Sequence, residues 1–160
     1  MSTTIKRILV VCSGNTCRSP MAEAFLRHHL DDFPPAIRPT VESAGTRAYT
    51  GARASAEARR VMATRGLDLG QHRSRPLKSV DFDNVDLVLT MTPAQWVSVV
   101  QHASESEPRV FTLGDYAGTG EAVTDPFVGD LEEYEACAER LTHLVALVVE
   151  RLRSDPARTR

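Results

Sequence analysis

Residues 11–20 read VCSGNTCRSP: a cysteine at the end of an apolar run, small polar residues after it, and an arginine six positions on. The run before Cys12 is Ile8-Leu9-Val10-Val11, and the segment after Pro20, MAEAFLRHHL, has helical character. A loop between a strand and a helix N-terminus is an anion site, because backbone N–H groups converge there and the helix dipole adds positive potential. Gly14 allows the backbone to bend where a side chain would interfere. Asn15 tolerates a left-handed conformation and can bridge its own loop. Arg18 presents a planar fork of donors matched to two phosphate oxygens. Cys12 then lies at the base of an anion cradle whose positive field favours the thiolate. A thiolate beneath a phosphoryl group suits in-line attack on phosphorus, giving a cysteinyl-phosphate. Loop amides and Arg18 would stabilise the equatorial oxygens. Ser19 can donate its hydroxyl to the Cys12 sulfur and ease its departure.

Other readings of this loop are weaker. A buried cysteine at a strand end is ordinarily a small hydrophobe, and an arginine six residues away is a weak signal alone. The glycine, the asparagine, the Ser-Pro helix start and the preceding strand supply the context a motif requires. No GKS or GKT follows, as a nucleotide P-loop would need, and no CxxC pair suggests zinc. The reaction also needs a general acid for the leaving group. Asp125 in TDPFVGD is the best candidate, a carboxylate on a proline-stiffened turn beside the ring of Phe127. The alternative is an ordinary Asp-Pro turn.

The elements that must position these groups are legible in outline. Residues 6–11 read as a buried strand. Ser19 and Pro20 read as a cap and first residue of a helix, with Met21, Ala24, Phe25 and His28 on one face and an end near Asp31. Further strands are expected at 39–43, 85–91 and 109–113. Helices are expected at 55–65 with Gly66 as C-terminal cap, from Pro93 carrying Trp96, Val97 and Val100, and over 131–152. The last of these repeats apolar residues every three or four positions. Strands alternating with helices imply a parallel sheet covered on both faces, with ligands beyond the carboxyl ends of its strands. Cys12 sits at one such end.

Composition sets the frame. A chain of 160 residues is one domain by default; residues 1–153 are expected to form it, with 154–160 a frayed tail. The net charge of −2 gives no global reason to expect nucleic acid or an acidic membrane as partner. No apolar run approaches membrane-spanning length. The start, MSTTIKR, has no signal-like apolar region. Three cysteines argue for a reducing cytoplasm rather than a disulfide scaffold.

Taken together, VCSGNTCRSPMAEAF, SAGT at 43–46, HRSRPL at 72–77, VDLVLTMT at 85–92 and DPFVGDLEEY at 125–134 resemble, in that order, the low-molecular-weight protein tyrosine phosphatases. The resemblance implies an α/β three-layer sandwich with a four-stranded parallel sheet and helices on both faces. It implies catalysis without metal or other cofactor and a phosphocysteine intermediate. It assigns Cys12 as nucleophile, Arg18 as phosphate binder and Asp125 as general acid. Ser13, Gly14, Asn15, Thr16, Cys17 and Ser19, with Tyr49 and Phe127, form the phosphate- and substrate-binding set. Asn15, Ser19, Ser43 and His72 would form a hydrogen-bonded network behind the loop. Cys17 is similar to the second loop cysteine of the family, which can pair reversibly with the nucleophile on oxidation and protect it. Cys137 reads as core.

Thr16 departs from the tyrosine-specific members, which carry Ile or Leu there. It resembles instead the bacterial protein arginine phosphatases, since a threonine hydroxyl can accept a hydrogen bond from a guanidinium. Tyr49 points the other way, as an aromatic wall for a phenyl ring. Thr16 weighs more because it lies in the cradle itself. The expected activity is hydrolysis of phosphoarginine in phosphorylated proteins by a monomer, with phosphotyrosine as the alternative. An arsenate reductase would want two further redox cysteines near the site. A silent phosphate-binding module would have lost Cys12, Arg18 or Asp125.

Overall fold

Side chains along a strand alternate between two faces, so a strand that is apolar throughout needs cover on both. The structure, a computed structural model, describes residues 2–126, 129–154 and 157–159. It meets that need with four parallel strands: β2 (Arg7–Cys12), β3 (Thr40–Gly45), β4 (Leu87–Thr90) and β5 (Arg109–Thr112), in the order β3-β2-β4-β5. Ile8, Val10 and Cys12 face α1 (Arg18–Leu30) and α5 (Leu131–Ser154). Leu9 and Val11 face α3 (Pro93–His102), beside Phe82, Val85 and Val99. The result is the three-layer α/β sandwich that the sequence leads one to expect. Register brings Cys12 level with Gly45, Val11 with Thr90 and Thr90 with Thr112, so the carboxyl ends share one edge. The first strand of this sheet lies between the second and the third. Its carboxyl end is therefore a topological switch point, where α/β sheets open a crevice.

Several elements differ from expectation. Helix α1 begins at Arg18, with Cys17 at its N-cap and no side-chain cap. Ser19 does not cap it, because its hydroxyl is engaged by Cys12 and Asn15. Pro20 is still tolerated in the first turn, where its missing N–H would have been an orphan. His28 is exposed, and the buried face of α1 runs through Met21, Ala22, Phe25, Leu26 and Leu30. On α3 the buried residues are Gln95 and Val99, while Trp96, Val97 and Val100 face outward. Helix α2 (Ala56–Ala63) is capped by Ser55, which accepts from the Ala58 N–H, and Gly66 reverses the chain at φ +77°. A short helix, α4 (Leu113–Ala117), follows β5 and was not among the expected elements. Thr112 caps its start, and Gly118 closes its end in the left-handed conformation at φ +88°. Residues 157–159, expected to fray, form β6 (Ala157–Thr159), antiparallel to β1 (Ser2–Thr4), so their backbone groups find partners. Among the described residues no helix is long and apolar enough to cross a membrane.

Gly114 is fixed by close approach. A Cβ there would run into the backbone of Glu121, in the stretch that leads to Asp125. Gly114→Ala should lower stability by about 1–3 kcal/mol through overpacking, read as a fall in the urea midpoint at unchanged slope.

Candidate functional site

The loop after β2 is organised by one asparagine. Asn15 is fully buried and sits in the left-handed region at φ +57°. The Arg75 N–H donates to its Oδ1 at 3.0 Å. A backbone N–H can only donate, so the amide orientation is fixed. Its Nδ2 then donates to Ser19 Oγ at 2.8 Å and to Ser43 Oγ at 3.0 Å. Ser43 in turn donates to Glu23 at 2.6 Å. Ser19 Oγ lies 3.0 Å from Cys12 Sγ, and its hydroxyl proton, not used by Asn15, can turn toward that sulfur. The Asn15 N–H donates to the same sulfur at 3.3 Å. His72 Nε2 donates to the Asn15 carbonyl at 2.6 Å. The structure thus brings Asn15, Ser19, Ser43 and His72 together behind the loop. Cys12 Sγ thus lies within hydrogen-bond distance of both the Ser19 hydroxyl and the Asn15 N–H, just ahead of the N-terminus of α1.

Two glycines exchange roles. Gly14 is exposed, has no left-handed φ, and would carry a Cβ no closer than 3.6 Å to Thr16 Oγ1. The expectation that a side chain there would interfere is corrected: the chain reverses at Asn15 instead. The glycine that sterics demand is Gly45, where a Cβ would run into the Ser13 carbonyl.

Arg18 is buried. Its Nη1 donates to the Val123 carbonyl at 3.0 Å and its Nη2 lies 3.5 Å from Asp125 Oδ2. Its Nε has no hydrogen-bond partner among the described residues. An unsatisfied buried donor is costly unless a ligand accepts from it. Asp125, with its carboxylate about half exposed, is thereby held beside the cradle. Phe127 lies outside the described residues. Tyr49 is 85% exposed on the segment that follows β3. Cys17 Sγ is buried against the Tyr134 hydroxyl at 3.3 Å and Ser55 Oγ at 3.6 Å. Burial, helped by that contact with Cys17, pushes the Tyr134 phenol up. Burial likewise pushes the Cys137 thiol up, to about 12. Cys12, Cys17 and Cys137 are all free.

Sequence reasoning missed Gln95. It is buried, accepts from the Met91 and Thr92 N–H groups, and donates from Nε2 to Ser13 Oγ at 3.1 Å. The signal was there in part: Thr92, Pro93 and Gln95 form a capping box at the start of α3. A hollow of about 490 Å3 lies behind the loop, bordered by Glu23, Ser43, His72 and Arg75. Cys12 does not line it.

Residues 7–158 match the family model described as low molecular weight phosphotyrosine protein phosphatase. The chain belongs to this phosphatase family. Within it, the chain is 37% identical over 150 residues to a protein-arginine-phosphatase of Geobacillus stearothermophilus, covering 93% of this chain and 97% of the relative. It is also 37% identical to a probable low molecular weight protein-tyrosine-phosphatase, EpsP, of Ralstonia nicotianae, covering 94% and 98%. Among solved structures, the YwlE arginine phosphatase from Geobacillus stearothermophilus superposes with a TM-score of 0.84 at 37% identity, covering 94% of each chain. A YwlE mutant with a phosphorylated active-site serine superposes at 0.85, with 31% identity and 93% and 97% coverage.

Two predictions follow from the geometry of this phosphatase loop. Asn15→Ala strands the Arg75 N–H and strains the backbone, whereas Asn15→Gly strands it without strain. The alanine variant should be the less stable of the two by about 1–2 kcal/mol in urea unfolding. The Cys137 thiol holds its proton more tightly folded than unfolded. Stability should therefore fall as pH rises from the ordinary thiol range, near ~8.5, toward the folded value of about 12. Unfolding midpoints across alkaline pH should show a shallower fall in Cys137→Ala.

Proposed function

We propose that this single-domain protein is a cysteine-dependent phosphoprotein phosphatase that hydrolyses phosphoarginine. The observation that carries the phosphatase reading is the pairing of Cys12 with Arg18. The Cys12 sulfur accepts from Asn15 N–H and Ser19 O–H, and the buried Arg18 keeps its Nε free of partners among the described residues. A phosphoryl group seated there would accept from Arg18 and the loop amides while the Cys12 sulfur attacks phosphorus in line. The P–N bond breaks as Asp125 delivers its proton to the leaving guanidino nitrogen. The Asp125 carboxylate then takes a proton from water, which attacks the cysteinyl-phosphate. Phosphate leaves and the Cys12 thiolate returns, with the Ser19 hydroxyl stabilising it. The phosphorylated active-site serine of the YwlE mutant supports a covalent phosphoenzyme.

Thr16 supports the choice of phosphoarginine. It is half-buried in the loop, its carbonyl is held by the Ser55 N–H at 2.9 Å, and its hydroxyl offers an acceptor to a guanidinium. The arginine phosphatases among the relatives support the same reading. Tyr49 supports the phosphotyrosine alternative as an exposed ring near the cradle. The three free cysteines fit a reducing compartment such as the cytoplasm, and the protein is read as acting as a monomer on phosphorylated proteins.

Phosphate release from phosphoarginine and phosphotyrosine peptides tests this reading. The wild type should prefer phosphoarginine, and Thr16→Ile should shift the ratio of kcat/KM toward phosphotyrosine by about tenfold, the worth of one hydrogen bond. Cys12→Ser should cost at least ~10³-fold in kcat and still bind vanadate. Turnover surviving in Cys12→Ser would overturn the mechanism. A phosphotyrosine preference indifferent to Thr16→Ile would hand specificity to Tyr49.

A further inference from the structure

The segment between β3 and α2, TRAYTGARAS over residues 46–55, is bound to the cradle at both ends. The Thr46 N–H donates to the Cys12 carbonyl at 3.0 Å, the Arg47 N–H to Ser13 at 2.9 Å, and the Ser55 N–H to Thr16 at 2.9 Å. Its middle is held by the buried Ser74. That residue donates from its hydroxyl to the Tyr49 carbonyl at 2.6 Å, accepts from the Ala52 N–H, and exchanges backbone bonds with Gly51 and Ala52. The backbone of this rim is therefore fixed, while the side chains of Arg47, Tyr49 and Arg53 are exposed.

The charge on this rim is one-sided. Residues 46–55 contain two arginines and no carboxylate. Neither the Arg47 nor the Arg53 side chain has a hydrogen-bond or ion-pair partner among the described residues. Other arginines near the loop are engaged: Arg75 with Glu42, and Arg18 with Asp125. The chain as a whole is acidic, at −2, so an acidic protein segment meets attraction here against a mildly repulsive background. At physiological salt a charge acts over about 8 Å. Only a segment adjoining the phosphorylated residue would therefore feel these two guanidinium groups. Guanidinium forks pair well with carboxylates, and an exposed tyrosine between them adds contact area at small entropic cost.

We propose that this rim docks an acidic segment flanking the phosphorylated residue, so that the enzyme selects phosphoproteins with Asp or Glu beside the site. The proposal rests on the phosphoprotein phosphatase reading and adds the class of substrate sequence. The rim sets KM and the encounter rate, while the cradle sets the chemical step.

Phosphoarginine and phosphotyrosine peptides, each with acidic or with lysine flanks, test it. The wild type should hydrolyse the acidic member of a pair with a kcat/KM about tenfold higher at low salt, the lower end of electrostatic steering. High salt should compress that ratio, and Arg47→Glu/Arg53→Glu should invert it. Equal rates on both flanks in the wild type, or a preference untouched by the double substitution, would overturn the proposal. Binding to phosphatidylserine vesicles that depends on the two arginines, without any peptide preference, would overturn it in favour of a lipid partner. Failure of the phosphatase reading itself looks different, because no peptide would then release phosphate.

Discussion

One buried amide carries the loop. Asn15 spends both side-chain donors and its acceptor inside the protein and gives its carbonyl to His72. Remove those bonds and Ser19 has no reason to turn its proton toward Cys12, nor Ser43 to stay in line with Glu23. A left-handed residue is held only where the surroundings over-determine it. Here three segments do so: β3 through Ser43, α1 through Ser19, and the 72–75 stretch through His72 and Arg75. A buried polar network is stable only when its members are satisfied, and once satisfied it specifies one geometry.

The sheet makes that network possible. Parallel strands in this order leave a crevice beyond β2 and β4, and the loops leaving those strands meet across it. Gln95 closes the meeting by tying the start of α3 to Ser13. Close packing does the same on the flanks. Gly45 lets β3 pass the Ser13 carbonyl, and Gly114 lets α4 seat the stretch that delivers Asp125. Arg18 then reaches across from α1 to Val123 and Asp125, joining the loop after β2 to the segment that carries Asp125.

The loop from Cys12 to Arg18 was readable because its pattern is local. Strand, cysteine, bend and helix start fall within a dozen residues, and backbone geometry alone turns them into an anion site. Element types were legible for the same reason: apolar runs mark strands buried on both faces, and α5 repeats its apolar positions with helical period. Boundaries were less so. Ser19 carries a capping residue's chemistry, yet Cys12 and Asn15 engage its hydroxyl, and α1 starts at Arg18, two residues before the Pro20 expected to open it. Trp96, Val97 and Val100 are apolar but face outward, because the capping box turns Gln95 inward toward Ser13.

The amino-acid sequence alone carried the candidate pair, Cys12 and Arg18, and the alternation of strands and helices that sets the sheet. Both depend on neighbours along the chain. It did not determine that the chain reverses at Asn15 rather than Gly14, that Gly45 is the glycine required by sterics, or that Gln95 and Tyr134 brace Ser13 and Cys17. Those are contacts between residues separated by 28 to 117 positions. Only the tertiary structure decides which distant backbone or hydroxyl arrives within 3 to 4 Å, because strand register and helix packing fix it, and neither is written in any single segment.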